Sequence, residues 1–503
     1  MINWKILALF SLIIGGLLYR ISLLFANDTM LTYWIMDDAC YYLKTAQNIA
    51  TTGKWSFDGG ISITNGFHPL YMFACVCMAK LVGNCEPTEF LRIMLTVSSI
   101  VGVLGAWVIY KIAELYSKSG ISLIMVTCYL FSLPFVSMHL NGMETSFYVT
   151  ILALTMYLSL SQRSTWMIGI ALSLCVLART EAVILVIIYS AWLVVNRKLK
   201  GAIIVAVIPF IAFCVFSILS YVNTGYILQT SGTLKLGEHS WGCISITMKN
   251  MIHSFSAFFP SFYTTQGGLL VVSFIVFIPV LIVSIMRTRI LIPYIAFIMF
   301  LIVFYSRTQG YTPLYYLGCH TIILFICITT LICKLAEVSW RRLEKGKPYV
   351  NTIMVISLLF VYGNILNSKD NIFMGFYNSS VPYRQTNIIP HMSVYNTAME
   401  CKNIMPPNTI IGSFDAGVIG YYSKFPCVNL DGVINSDAAT ARMNGKLLEY
   451  ILSKPITYIV QPRDSTYTFF TNNLELAKIH IVPIHAITNT YFYGGHVIYK
   501  IVK

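Results

Sequence analysis

The chain has 503 residues, of which 57% are hydrophobic and only 11% charged, and its mean hydropathy is +0.71. A water-soluble protein of this length needs far more polar surface, so the composition excludes one and points to a polytopic membrane protein. The formal net charge of +14 does not argue for nucleic acid, because Lys and Arg gather between apolar runs, as in loops that face anionic lipid.

Lys5 precedes an apolar run from Ile6 to about Ala26. No clear small-residue cleavage site follows, so this run reads as a retained first transmembrane helix. A polar segment from Asn27 to His68 comes next. Further apolar runs lie at 69–83, 90–110, 119–138, 145–161, 166–195, 202–220, 269–286, 290–306, 313–333 and 349–365. The run at 166–195 is too long for one untilted span and is interrupted by "ARTE", which reads as a break between two short helices. The expectation is an α-helical membrane domain over residues 1–367, with about eleven or twelve spans.

Lys111 and Lys118, Arg163, "NRKLK" (Asn196–Lys200), Arg287 with Arg289, and Lys334–Lys347 are basic connections. Placing them in the cytoplasm puts "HLNGMETS", "ARTE", the 221–268 loop and "SRTQGYTP" outside, along with everything after about Ser368. The 27–68 loop is outside too if the N-terminus is inside. Two full crossings at 69–83 and 90–110 would carry Lys111 outside, so either one of those runs is a half-helix or that loop breaks the rule.

From about Ser368 onward, Asn, Pro, Asp and Tyr rise and spans vanish. "TIIGSF", "CVNLD", "ITYIVQP" and "HVIYKIV" read as strands, while "VYNTAMECKNIM" and "NGKLLEYILS" read as helices. Residues 368–503 therefore read as a soluble α/β domain of about 135 residues. Most of the 13 cysteines sit in apolar runs, as small hydrophobes, and no CxxC pair occurs. Cys401 and Cys427 read either as a pair in an oxidising compartment or as two free thiols.

The stretch "DDACYYLKTAQNIA" (Asp37–Ala50) carries the first chemistry. Tyr41, Leu43 or Ala46, and Ile49 have helical spacing, which predicts an amphipathic helix lying in the membrane interface. Adjacent carboxylates suit a base beside a ligand for a hard cation. The same pair equally suits a helix start, where Asp meets free N–H groups and the dipole.

The pair does not stand alone. "SFDGGISITNGFHPLYMF" closes the same loop and enters the next apolar run. Together, "DDACYYLKTAQNIA" and "FDGGISITNGFHPLY" resemble the first outer loop of the GT-C glycosyltransferases. These are polytopic enzymes that take a sugar from a polyprenyl-phosphate carrier. "NGMETSFY" (Asn141–Tyr148), "LARTEA" (Leu177–Ala182) and "TSGTLK" (Thr230–Lys235) resemble later landmarks more loosely. "GSFDAGVIGYYSKFPCVNLDGVIN" (Gly412–Asn435) resembles the C-terminal domain of a bacterial subgroup.

The resemblance implies inverting transfer on the outer face of the cytoplasmic membrane, with the C-terminal domain on that side. Asp37 matches the general base. Asp38 and His68 match groups that hold a metal (Mg, Mn or Ca) or orient the carrier phosphate. Tyr41, Tyr42 and Asn65 would line the site. An outer-face enzyme has no cytosolic nucleotide sugar, so a base where lipid phosphate meets water is chemically sensible.

Phosphate needs cations or hydrogen-bond donors, and the outer-side candidates are Lys235, Arg307, Tyr311, Tyr315, Tyr316 and His320. Lys235 leads because "SGTLK" lies in a large loop of the resembling type, whereas Arg307 also reads as a loop charge. The tyrosines also read as an aromatic belt. Charges within the outer half of a membrane are costly, so Glu144, Arg179 and Glu181 read either as site-lining or as mutual partners bracing a broken helix. Asp415 and Asp431, in "FDAG" and "LDGV", read either as groups that touch the acceptor or, with more support, as structural turn residues.

The expected activity is transfer of a hexosyl or pentosyl group from a polyprenyl-phosphate sugar to a cell-envelope acceptor such as lipid-linked O-antigen. The rivals are a transporter or flippase of lipid-linked sugar, for which no paired repeat is visible, and an O-antigen polymerase or ligase, which does not need the acidic pair. A protein-directed oligosaccharyltransferase would carry a tryptophan-rich acceptor motif, and none is present.

Overall fold

The computed structural model describes residues 4–25, 31, 35–117, 120–232, 286, 288–308, 314–342, 390–462, 481–488 and 495–502. The apolar runs at 269–286 and 349–365 lie almost wholly outside these residues. So do the sequence boundary at 367/368 and most of the 221–268 loop.

The helices in chain order are α1 (Trp4–Leu24), α2 (Asp37–Thr52), α3 (Pro69–Val82), α4 (Pro87–Glu114), α5 (Ile121–Phe131), α6 (Leu133–Leu140) and α7 (Thr145–Leu160). There follow α8 (Thr165–Ala178), α9 (Ala182–Val195), α10 (Leu199–Thr224), α11 (Ile292–Thr308) and α12 (Gly318–Arg342). Among the described residues, four helices are long and apolar enough to cross a bilayer, within α1, α4, α10 and α12. The α5 and α6 segments are bent by 50° and have the length and composition of either a broken span or a re-entrant loop. Five further apolar helices are shorter: α3, α7, α8, α9 and the segment Arg289–Tyr305. The protein is a polytopic α-helical membrane protein.

Two of the sequence ambiguities resolve locally. The run at 166–195 is two helices, α8 and α9, with Arg179–Glu181 between them. The run at 69–83 is the 14-residue α3, about 21 Å long and short of the ~30 Å hydrocarbon core. The 28-residue α4 is long enough to cross it.

The C-terminal part contains α13 (Pro390–Ile404), β1 (Ile411–Ser413), α14 (Ala416–Tyr422), β2 (Cys427–Asn429), α15 (Ser436–Met443), α16 (Leu447–Ser453), β3 (Tyr458–Pro462), β4 (Ile481–Thr488) and β5 (Gly495–Ile501). The sheet order is β2-β1-β3-β5-β4. β1 runs parallel to β2 and β3, and β5 is antiparallel to β3 and β4. Phe414, Val428, Leu430, Leu447, Ile451, Ile456 and Ile459 form the core beneath it. All four strands expected from sequence are present, so the region is an α/β domain. β4 was not expected. It carries Pro483 at a register irregularity on the sheet edge, where a residue without an N–H is tolerated. Cys401 and Cys427 are both buried free thiols.

The chain divides into two compact units: 1–25, 95–214 and 239–383 form one, and 26–94, 215–238 and 384–503 form the other. The second unit thus contains the first polar loop together with the C-terminal α/β domain. Within the first unit, Arg20 of α1 is fully buried. Its Nε donates to His139 Nδ1 at 3.1 Å and its Nη1 to the Gly16 carbonyl at 2.9 Å. Gly102 makes room for that imidazole, since a Cβ there would come within 2.4 Å of it.

Candidate active site

The site is built on the start of α2. Met36 is extended, and the Ala39 N–H bonds its carbonyl at 3.0 Å. This makes Asp37 and Asp38 the first turn, where carboxylates meet the positive end of the dipole. Gly53, in the left-handed region at φ 72°, ends the helix and returns its N–H to Ile49. The residues between bury Ala39, Cys40, Tyr41, Tyr42, Leu43, Thr45 and Ala46. The apolar face expected to lie against lipid is instead covered by protein, because α3 and α14 pack on it.

Asp37, Tyr41 and Lys44 follow an i, i+4, i+7 spacing and share one face of α2. That face holds α14 along its length. At the N-terminus of α14, the Gly417 N–H donates to Asp37 Oδ2 at 3.1 Å and the Val418 N–H to Oδ1 at 2.7 Å. The preceding Ala416 N–H donates to the Tyr41 hydroxyl at 3.2 Å. At the other end, Lys44 Nζ donates to the carbonyls of Gly420 and Phe425, the latter at 2.7 Å. Gly417 is required by close approach: a Cβ there would lie 2.2 Å from the Asp37 carbonyl oxygen and 2.6 Å from Oδ2.

Burial pushes the Asp37 carboxyl up to about 6, helped by the neighbouring Asp38 charge. The Gly417 and Val418 amides and the Tyr41 hydroxyl pull the other way without cancelling it. Burial likewise brings Lys44 down to about 8. Two carboxylates of the α/β domain feel the same field. Asp415 is raised well above the usual carboxylate range by burial, then by Asp37, Asp431 and Asp38. Asp431 is pushed up to about 7, again mainly by burial. Its Oδ1 accepts the Val433 N–H at 2.7 Å.

The remaining residues predicted for this loop are tied into protein. Asn65 is fully buried. Its amide donates to Ser220 Oγ and to the Leu228 carbonyl, each at 2.9 Å, and its oxygen accepts from the Thr230 N–H and hydroxyl. The Tyr42 hydroxyl accepts the His68 N–H at 3.0 Å. His68 is extended, as a residue before proline must be, and Pro69 opens α3. Asp58, which sequence reasoning passed over, is buried and gathers Ser56 Oγ, the Ile61 and Ser62 N–H groups and Ser62 Oγ. The signal was present in "DGG", because Gly59 and Gly60 both take positive φ, +80° and +108°. Lys44, also passed over, was signalled by its spacing from Asp37.

Glu144, Arg179 and Glu181 belong to the first unit. Arg179 Nη1 donates to Glu144 Oε1 and its Nε to Glu181 Oε1. Tyr305 donates to Glu181 at 2.9 Å, and the guanidinium lies 4.6 Å from the Tyr316 ring centroid. This is mutual pairing across the α8–α9 break. His320 is buried in the same unit. Lys235 and Tyr311 lie outside the described residues, as do the side chains of Arg307 and Tyr315. Among the described residues, no three His, Cys, Asp or Glu side chains stand together. Asp38 and His68 thus do not belong to a three-ligand cage of described residues.

No curated protein matches this chain in sequence. A family model described as a domain of unknown function, DUF8728, matches residues 386–496. Solved structures are more informative. ArnT from Cupriavidus metallidurans, bound to undecaprenyl phosphate, superposes with a TM-score of 0.57 at 12% identity, over 99% of this chain and 98% of its own. The archaeal oligosaccharyltransferase AglB from Archaeoglobus fulgidus, in complex with an inhibitory peptide and a dolichol-phosphate, gives 0.52 at 10% identity, over 98% of this chain and 74% of its own.

The chain has the GT-C fold. A second AglB structure, tethered to an acceptor peptide containing the NVT sequon, gives 0.54 at 11% identity, over 100% of this chain and 74% of its own. These superpositions run over 98–100% of this chain. At these identities the likeness concerns the fold alone.

Proposed function

We propose that this protein is an inverting glycosyltransferase that moves a sugar from a polyprenyl-phosphate carrier to a cell-envelope glycan acceptor, such as lipid-linked O-antigen. The reaction takes place at the outer face of a bacterial cytoplasmic membrane. The observation that carries the reading is Asp37: a carboxylate at the head of α2 in a GT-C fold, brought to about 6 by burial. A general base works best with its pKa near the operating pH. The Gly417 and Val418 amides and the Tyr41 hydroxyl take three of the four acceptor sites of the Asp37 carboxylate, which leaves one for an incoming hydroxyl.

In the proposed step Asp37 takes the proton of the acceptor hydroxyl. The acceptor oxygen attacks the anomeric carbon from the face opposite the carrier. The bond from that carbon to the phosphate oxygen breaks, and polyprenyl phosphate leaves with the electron pair. One displacement inverts the anomeric centre. Asp38 orients the base or the acceptor, and Lys235, Arg307 and Tyr311 are proposed to hold the donor phosphate. Asp38 and His68 would hold a divalent cation, which would supply positive charge to the donor phosphate.

The test compares the envelope glycans of a deletion strain and its complemented parent by mass spectrometry. The reading expects one sugar to disappear from one acceptor, with the corresponding polyprenyl-phosphate sugar accumulating. Loss of a whole repeat unit, or an acceptor trapped on the cytoplasmic side, would instead indicate a polymerase or a flippase. Sidedness is read separately. Cysteines placed at exposed Lys54 and at Met443, which is 60% exposed, should react with an impermeant thiol reagent in whole cells above the parent background. Protection of either until lysis rejects the outer placement.

A further inference from the structure

We propose that Tyr41 is a positioning residue for Asp37, and that the 416–418 turn of the α/β domain is thereby part of the transferase site. This inference rests on the reading of Asp37 as the base.

The argument is a count of donors and acceptors. Three consecutive backbone amides at the head of α14 are divided between two side chains of α2: Ala416 donates to Tyr41, while Gly417 and Val418 donate to Asp37. The Tyr41 hydroxyl receives a second N–H from Asn429 Nδ2 at 3.1 Å. The orientation of that Asn429 amide is fixed, because its own Oδ1 accepts the Gly432 N–H at 2.9 Å and its Nδ2 also reaches the Phe414 carbonyl. A phenolic oxygen has two lone pairs and one proton. With both lone pairs taken by N–H donors, the proton is left for a carboxylate; Asp37, Asp431, Asp38 and Asp415 all act on this hydroxyl, and Asp37, one helical turn away, is the one that it hydrogen-bonds.

The ring is locked as firmly as the hydroxyl. Tyr41 is 5% exposed and packs edge-on against Phe57 at 5.1 Å between centroids. The charged and titratable groups around the pair are Asp38, Cys40 and Lys44 on α2, and Asp415, Cys427 and Asp431 from the α/β domain. The donors to the carboxylate are the Gly417 and Val418 amides and the Tyr41 hydroxyl. The turn and Tyr41 therefore hold Asp37 in one rotamer and direct its one unused lone pair. The matched family of unknown function, residues 386–496, contains this turn and Asn429, which gives the domain a role in the chemistry.

The experiment uses the full chain in membranes and, as donor, the polyprenyl-phosphate sugar fraction extracted from the deletion strain. Tyr41→Phe keeps the ring and removes only the hydroxyl. It should lower kcat about 10-fold with the donor KM and the folded fraction unchanged. A second variant, Asn429→Asp, replaces a donor by an acceptor and draws the tyrosyl proton away from Asp37. It should lower kcat similarly, and the double variant should be no worse than Tyr41→Phe alone. Wild-type kcat in Tyr41→Phe, or a loss that only follows the folded fraction in both variants, overturns the positioning role. Failure of the base reading looks different: Asp37→Asn would then retain wild-type transfer per folded molecule.

Discussion

Asp37 and Lys44 stand two turns apart on α2 and grip opposite ends of one short helix, α14. The carboxylate takes the amides of Gly417 and Val418, and the ammonium takes the carbonyls of Gly420 and Phe425. The signs suit the helix dipole at both ends. The lengths match as well, since seven residues of helix span about 10 Å on either element. A base held this way also fastens the α/β domain to the first loop, so chemistry and structure share one side chain.

That double role sets the outcome of Asp37→Asn. An amide has one acceptor oxygen, so its NH₂ would face one of the two α14 amides. Stability should fall by about 1–3 kcal/mol. Transfer per folded molecule should fall by about 10²–10⁴-fold. A kinetic assay paired with a thermal melt separates the two. A clamp without base function predicts normal turnover in whatever fraction remains folded.

The acidic cluster gives stability and activity opposite pH trends. Burial raises the folded-state pKa of Asp37 to about 6 and that of Asp431 to about 7, above the usual value of 3.8. The folded state therefore binds more protons between about pH 4 and 7, and its stability falls as pH rises through that window. His496, buried and held down to about 4, opposes this below its unfolded pKa of about 6.5. The clean reading is therefore a comparison with Asp431→Asn. The wild type should lose more melting temperature than this variant between about pH 5 and pH 7.5. Activity should instead rise through about pH 6 as Asp37 ionises. Equal melting shifts in the two proteins would remove Asp431 from the explanation.

Arg179 should prove indispensable for folding and Glu144 should not. Arg179→Met leaves Glu144 and Glu181 buried together, a loss of about 3–5 kcal/mol by the usual cost of an uncompensated buried charge. Glu144→Gln keeps the Arg179–Glu181 pair and should be recovered folded in detergent. Monodisperse Arg179→Met at wild-type yield would contradict bracing. Folded but inactive Glu144→Gln would add a site-lining role to it.

Asp58 should behave as an anchor of the first loop. Asp58→Ala strands two backbone N–H groups and two serine hydroxyls that it now satisfies. The expected cost is about 2–4 kcal/mol, read as a lower melting temperature and faster proteolysis between Thr52 and Thr64. Unchanged protection of that loop would mean that Gly59 and Gly60 alone hold its shape.

The sequence by itself determined the membrane class, the break at "ARTE", four strands of the α/β domain and the acidic pair at the head of a helix. These follow from local signals: hydropathy over a window, strand period, and charge beside a helix start. It did not reveal β4, because an edge strand pairs on one side only and tolerates Pro483. It predicted an interfacial face on α2, since an apolar stripe looks the same whether lipid or protein covers it. Which of the two covers it depends on α14, nearly 380 residues further on. Only the tertiary structure brought the Gly417 and Val418 amides to Asp37 and the Ala416 amide and Asn429 to Tyr41. Backbone donors carry no residue signature, so no pattern of side chains along the chain announces where they will point.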